Sequence, residues 1–242
     1  MRRSPLFRQA RRLISRHPSL FFATAGILGN KQLLDETTDI VSDGYPRSAN
    51  TYFEAALIVS QDERIKVSSH SHASAQILMS LRKKIPTIVL FRDPKDAVAS
   101  LLELTSGDLP VEEYIKDYYT FYEDLDGKFD EALLVEFPEA IGEISVVIER
   151  INRRYGLGFV VPDNLETFPD RVRAKMDELG LKRAGWAIKY GPSVSEEEKQ
   201  KRLERKQECA ELVRLPKYAK AMDRCDRIYK TMLEARERQE LS

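Results

Sequence analysis

The stretch Pro-Thr-Ile-Val-Leu-Phe at 86–91 constrains the fold of this chain more than any other. It is short, apolar and β-branched, the pattern of a buried strand. Arg92 and Asp93 follow directly, and Pro94 stands where the first turn of a helix tolerates a missing N–H. Ala97, Val98, Leu101 and Leu102 then recur at helical spacing. The segment reads as a buried strand turning sharply into a helix.

The same alternation predicts a strand over 39–42, a polar loop over 44–50 and a helix over 51–59 with Phe53, Leu57 and Ile58 on one side. It continues with a strand at 65–68, a helix at 74–83, an aromatic-rich helix at 111–125 and a strand at 132–136. Strands alternating with helices at this spacing give a mostly parallel sheet with helices on both faces. After about residue 138 the pattern turns helical. One amphipathic helix spans Ile144–Tyr155 and stops at Gly156, a long charged helix runs over 195–215, and a final helix follows Pro216 to about 238. The expected fold class is therefore α/β: a P-loop-like three-layer fold with a mostly parallel central sheet and a helical C-terminal portion. The expected division is a basic helical segment at 1–37 and a single domain at 38–242.

Lys plus Arg and Asp plus Glu both number 39, so the formal net charge is zero and any anion site must be local. Nucleic-acid binding, which favours a basic excess, is not expected. The exception to the charge balance is the N-terminus, where Arg2, Arg3, Arg8, Arg11, Arg12, Arg16 and Lys31 precede the first acid, Asp35. Leu6, Phe7, Ala10, Leu13 and Ile14 lie at helical spacing there. Three readings stay open: a solvated helix on the domain, a peripheral membrane or transit-like segment, or a positive lip near an anionic ligand. No run reaches the roughly 18 apolar residues of a membrane span. Cys209 and Cys225 have neither metal-ligand nor disulfide spacing, which suits reduced thiols in a cytoplasmic protein.

The loop Gly-Tyr-Pro-Arg-Ser-Ala-Asn-Thr at 44–51 lies between a predicted strand and a predicted helix. Successive amides and a helix N-terminus converge there, a natural anion site. Its length matches the P-loop pattern G-x-x-x-x-G-K-[ST], but the inner Gly is Ala49 and the Lys is Asn50. Arg47 places the cation mid-loop, where a guanidinium can fork onto two oxygens of a phosphate or sulfate.

Gly-Tyr-Pro-Arg-Ser-Ala-Asn-Thr-Tyr at 44–52 resembles the 5′-phosphosulfate loop of the cytosolic-type sulfotransferases, Tyr-Pro-Lys/Arg-Ser-Gly-x-Thr-Trp. Val-Leu-Phe-Arg-Asp-Pro-Lys-Asp-Ala-Val-Ala-Ser at 89–100 resembles their second signature, which binds the nucleotide 3′-phosphate. The resemblance covers residues 39–137 and implies transfer of a sulfuryl group from 3′-phosphoadenosine-5′-phosphosulfate (PAPS) to a hydroxyl or amine of a small-molecule or carbohydrate acceptor, with no metal. It implies that Ser48, Ala49, Asn50 and Thr51 hold the 5′-phosphate, that Tyr52 stacks on adenine in place of Trp, and that Arg92 and Ser100 hold the 3′-phosphate. Arg47 is then a catalytic cation. His70, which precedes Arg92 by 22 residues as the family base precedes its arginine, is the expected base, with His72 as the alternative.

Departures from the family pattern are Ser68 in place of a Lys, Ala49 in place of the loop Gly, and the lack of a clean C-terminal Arg-Lys-Gly segment. For the last, Lys-Arg-Ala-Gly at 182–185 and the segment with Lys189 and Ser193 are candidates, the second preferred. Two rival functions stand beside transfer: a P-loop-type small-molecule kinase using ATP, and a non-catalytic binding protein of the same fold. The acceptor and the oligomeric state are not legible.

Overall fold

The computed structural model describes residues 5–27, 33–163, 166–182 and 195–241. Four strands lie among them: β1 (Ile40–Gly44), β2 (Val67–Ser68), β3 (Thr87–Phe91) and β4 (Leu133–Glu136). They form one sheet in the order β2-β1-β3-β4 with every pairing parallel. The helices are α1 (Pro5–Arg16), α2 (Pro18–Ile27), α3 (Asn50–Ser60), α4 (Ser74–Arg82), α5 (Pro94–Thr105) and α6 (Val111–Glu123). They continue with α7 (Phe137–Gly142), α8 (Ile144–Tyr155), α9 (Phe168–Lys182), α10 (Glu196–Val213) and α11 (Ala219–Glu240). The α/β class, the parallel sheet and the helical C-terminal part agree with the sequence pattern.

Strand alternation divides the core into two layers. Ile88 and Leu90 of β3 face one way, joining Phe53 and Leu57 of α3 and Ile144, Val147 and Ile148 of α8. Val89 and Phe91 face the other way, joining Val98 and Leu102 of α5, Tyr118 of α6 and Met222 of α11. Each such side chain fully buried contributes about 1.5–3 kcal/mol. The first helix after β1 thus lies on one face and the helix after β3 on the other. β1 and β3 are neighbours, with Gly44 opposite Leu90, so the loops leaving their carboxyl ends stand side by side. Open parallel sheets place ligands at such a divergence.

Local chemistry explains the corners. The Asp93 carboxylate accepts from the amides of Lys95 and Asp96 at 2.9 and 3.1 Å, capping α5 behind Pro94. Gly156 ends α8 at φ 64°, where a side chain would be strained. Two helices escaped the sequence reading, α7 and α9. Six-residue α7 is too short to show a period, and its signal is the reciprocal cap between Glu136 and Glu139. β2 is shorter than the 65–68 expected. Lys66 instead receives the Asp39 amide on its carbonyl and donates its own amide to the Asp39 carboxylate at 2.7 Å.

The basic N-terminal helix docks on the domain. Arg12 of α1 pairs with Glu113 and Asp117 of α6, and Arg16 pairs with Asp124 at 2.7 Å. Among the described residues no helix is long and apolar enough to cross a membrane.

Candidate functional site

The loop after β1 is built by close approach. A Cβ on Gly44 would lie 2.1 Å from the Leu90 carbonyl oxygen, so only glycine lets β1 and β3 meet there. The Tyr122 hydroxyl accepts from the Tyr45 amide at 3.1 Å and donates to the Leu90 carbonyl at 2.8 Å, bridging the two strand ends. Burial raises the Tyr122 pKa further above the usual phenol range, so the phenol keeps its proton. Tyr45 is itself buried and donates its hydroxyl to the Tyr114 carbonyl at 3.1 Å.

The middle of the loop is strained. Arg47 and Ala49 sit at φ 75° and 70°, the left-handed region that costs an L-residue about 1 kcal/mol or more. The double reversal turns the chain so that α3 begins at Asn50, whose Nδ2 donates to the Tyr45 carbonyl at 3.1 Å. The first amides of α3 have no acceptor within the helix and carry its positive dipole end. Ser48 is fully buried, with its hydroxyl 3.5 Å from that of Tyr122, and Tyr52 is half-buried on the flank of α3. Thr51 is partly exposed at the first turn.

The second motif meets this loop directly. Arg47 Nε donates to Ser100 Oγ at 2.9 Å, and Arg92 Nη1 donates to the Arg47 carbonyl at 3.1 Å. Arg92 lies 4.0 Å above the Phe137 ring and 3.8 Å from Asp96. Burial lowers the Arg92 pKa, Asp96 opposes that, and the Arg47 charge lowers it further. The second motif is thus tied to the first twice, through the Arg47 backbone carbonyl and through the Arg47 side chain. Lys189, Ser193 and the 183–185 part of the other C-terminal candidate lie outside the described residues.

The histidines lie beyond the strand. β2 ends at Ser68, and His70 and His72 occupy left-handed positions at φ 58° and 49°. Buried Asp43, at the end of β1, builds this loop. Its Oδ2 accepts from the Ser71 amide and hydroxyl at 2.9 and 2.6 Å and from the His72 amide at 3.2 Å. The rings meet edge to face, 5.5 Å between centroids, but their partners differ. His70 Nε2 lies 3.2 Å from Oε2 of buried Glu54, which also accepts from Ser69 Oγ at 2.6 Å. His72 Nδ1 lies 2.9 Å from the Gly44 carbonyl and 3.5 Å from Asp43 Oδ1. Burial lowers the His72 pKa, with Asp43 opposing. Sequence reasoning missed Asp43 and Glu54; the available signals were an acid directly before the loop glycine and an acid on the apolar flank of α3.

A cavity of about 430 Å³ opens beside this centre. Pro46 and His72, Arg11 of α1, and Tyr114, Asp117 and Phe121 of α6 are among the residues that line it. The aromatic helix therefore divides its work: Tyr118 and Tyr122 fill the core, while Tyr114 and Phe121 also bound the cavity.

No family model and no curated protein matches the sequence. Among solved structures, the mouse sulfotransferase SULT7A1 complexed with PAP is similar over 70% of this chain and 71% of that one, at 14% identity and a TM-score of 0.39.

Proposed function

We propose that the protein is a sulfotransferase that moves a sulfuryl group from PAPS to a hydroxyl or amine of a small acceptor. One observation carries this reading: the Arg47 side chain is bonded to Ser100 and its carbonyl to Arg92, so both motif cations share one corner. A doubly phosphorylated nucleotide with a further sulfate supplies the anionic groups that such a pair requires.

In this reading the amides from Ser48 to Thr51, at the entry to α3, hold the 5′-phosphate, with Tyr52 beside the adenine. Arg92 and Ser100 hold the 3′-phosphate, and Lys189 and Ser193 complete the nucleotide site. Arg47 stabilises the charge that grows on the leaving phosphate. One of two imidazoles, His70 by the motif interval or His72 by its place in the cavity lining, accepts the acceptor's proton. A cytoplasmic setting remains part of this proposal, and Cys209 and Cys225 are both free thiols.

ATP-dependent kinase chemistry is less well served. Asn50 stands where a P-loop lysine would reach the β- and γ-phosphates, and its amide is turned onto the Tyr45 carbonyl. Calorimetric titration with 3′,5′-bisphosphoadenosine (PAP), ATP and AMP tests the reading. PAP is expected to bind at least about tenfold more tightly than either mononucleotide, because only it engages Arg92 and Ser100. Equal affinity for ATP and PAP would overturn it. PAP binding without PAPS turnover across a broad acceptor panel would leave a binding protein instead.

A further inference from the structure

We propose that the cavity between α1, α6 and the loop after β1 receives the acceptor, a small hydroxy compound, and that His72 through Nε2, rather than His70, takes its proton. This rests on the sulfotransferase reading and goes further in naming the chamber, the base and the nucleophile.

The argument begins with what a carbonyl can do. The Gly44 oxygen can only accept, so His72 Nδ1, 2.9 Å away, must carry the proton and donate it. Asp43 Oδ1, 3.5 Å from the same nitrogen, favours the same tautomer. In the neutral ring Nε2 is then the lone-pair acceptor, and burial favours that neutral form. His72 is 23% exposed at its side chain and lines the cavity. Asp43 also holds the backbone of Ser71 and His72, so ring and main chain are positioned by one carboxylate.

His70 is differently placed. Its Nε2 faces Glu54, and it does not line the cavity. An Nε2 turned to a carboxylate is a proton donor in the ground state. We assign His70 and Glu54 to positioning the loop that carries His72.

The cavity touches the anion corner through Tyr45 and Pro46, the residues leading into Arg47. Its volume is at the small end of the range for ligand pockets, about 300–1,000 Å³, which suits a compact molecule rather than a polymer. Tyr114 and Phe121 offer apolar surface, and Asp117, Thr120 and Arg11 offer polar contacts. A hydroxyl fits Nε2 better than an amine does, since an amine protonated at neutral pH has no lone pair with which to attack sulfur. In the transfer, the acceptor oxygen forms a bond to sulfur as the bond from sulfur to the 5′-phosphate oxygen breaks. The acceptor proton moves to Nε2, and the electron pair of the broken bond leaves on PAP.

Two measurements test this. The first needs no acceptor: nitrogen-resolved NMR of the imidazoles near neutral pH, with and without saturating PAP. His72 is expected to be protonated at Nδ1 and bare at Nε2, and the opposite tautomer would overturn the proposal. The second is PAP release from PAPS with 2-naphthol present, in wild type, His72→Asn and His70→Asn. His72→Asn is expected to lose about 100-fold or more and His70→Asn less than about tenfold, with PAP affinity kept within about threefold in both. A larger loss in His70→Asn, or equal losses, would overturn the assignment. A wild-type protein that binds no PAP would sink the sulfotransferase reading itself, while the tautomer result would stand independently.

Discussion

The guanidinium of Arg47 donates to the Ser100 hydroxyl at 2.9 Å across 53 residues of sequence. Neither residue could make that contact from its own motif. It requires β1 and β3 to be parallel neighbours, so that the loop after one meets the helix after the other. Arg92 completes the corner by donating to the Arg47 carbonyl, which ties the second motif to the backbone of the first. The two cations are therefore one preorganised unit rather than two basic patches.

Arg92→Ala removes a partly buried cation from that unit. A charge-assisted bond is worth about 1.5–3 kcal/mol, so PAP affinity should fall about 10- to 100-fold. Arg92→Lys should recover only part of this, because a point charge lacks the fork. Calorimetric titration reads both variants, and an unchanged dissociation constant for Arg92→Ala would remove Arg92 from the nucleotide site.

Gly44→Ala tests the closeness of the two strand ends. The added methyl meets the Leu90 carbonyl oxygen at 2.1 Å, a backbone atom that cannot rotate aside. Relief requires β1 and β3 to part, which would also strain the Tyr122 bridge to Leu90. A loss of about 3 kcal/mol or more is expected in urea denaturation, at the upper end for overpacking. Wild-type stability in this variant would mean that the strands are looser than described.

Much of this corner was legible because local chemistry and periodicity agreed. Thr87–Phe91 is β-branched and fully buried, and Asp93 with Pro94 announces the helix that follows. The Gly44-to-Thr51 loop announced itself by residue type. What periodicity could not show was the orientation of the histidines. Extending the strand through 70–72 would place both rings on one face, but Asp43 and Glu54 take hold of the loop and turn the rings to different partners. Such an outcome depends on long-range carboxylates, which a local pattern does not record. A helix resting on the domain was among the readings of the basic N-terminus, but the face it docks on was hidden for the same reason, since its acidic partners Glu113, Asp117 and Asp124 lie about 100 residues on. Helix α9 was missed because its charged residues blur the apolar stripe that packs it on α3.

Ala49→Gly should make the protein more stable. Ala49 sits at φ 70°, where glycine loses nothing to sterics, and it precedes α3, where glycine is tolerated. Relief of about 1 kcal/mol is expected, offset in part by greater freedom of the unfolded chain. For a chain of this size that corresponds to roughly 2–4 °C in Tm. A lower Tm would show that the Ala49 methyl packs well enough to outweigh its backbone strain.

Acidification should weaken the fold through His72. Its folded pKa is lowered, first by burial and then by the neighbouring charges of His70 and Arg11, with Asp43 and the Gly44 carbonyl opposing. An unfolded histidine takes up a proton near pH 6.5, and the native ring resists it, so the unfolded state binds more protons. The contribution is fully present above about pH 6.5 and is lost progressively as the pH falls from there toward the lowered folded pKa, with a slope of at most about 1.4 kcal/mol per pH unit. Asp117 and Asp124, whose carboxyl pKa values burial raises, act in the opposite sense nearer the carboxylate range. Urea midpoints measured between about pH 7.5 and pH 5.5 should therefore fall in the wild type and fall less in His72→Gln. Parallel curves for the two proteins would show that His72 titrates freely, and the neutral Nε2 invoked for proton transfer would lose its support.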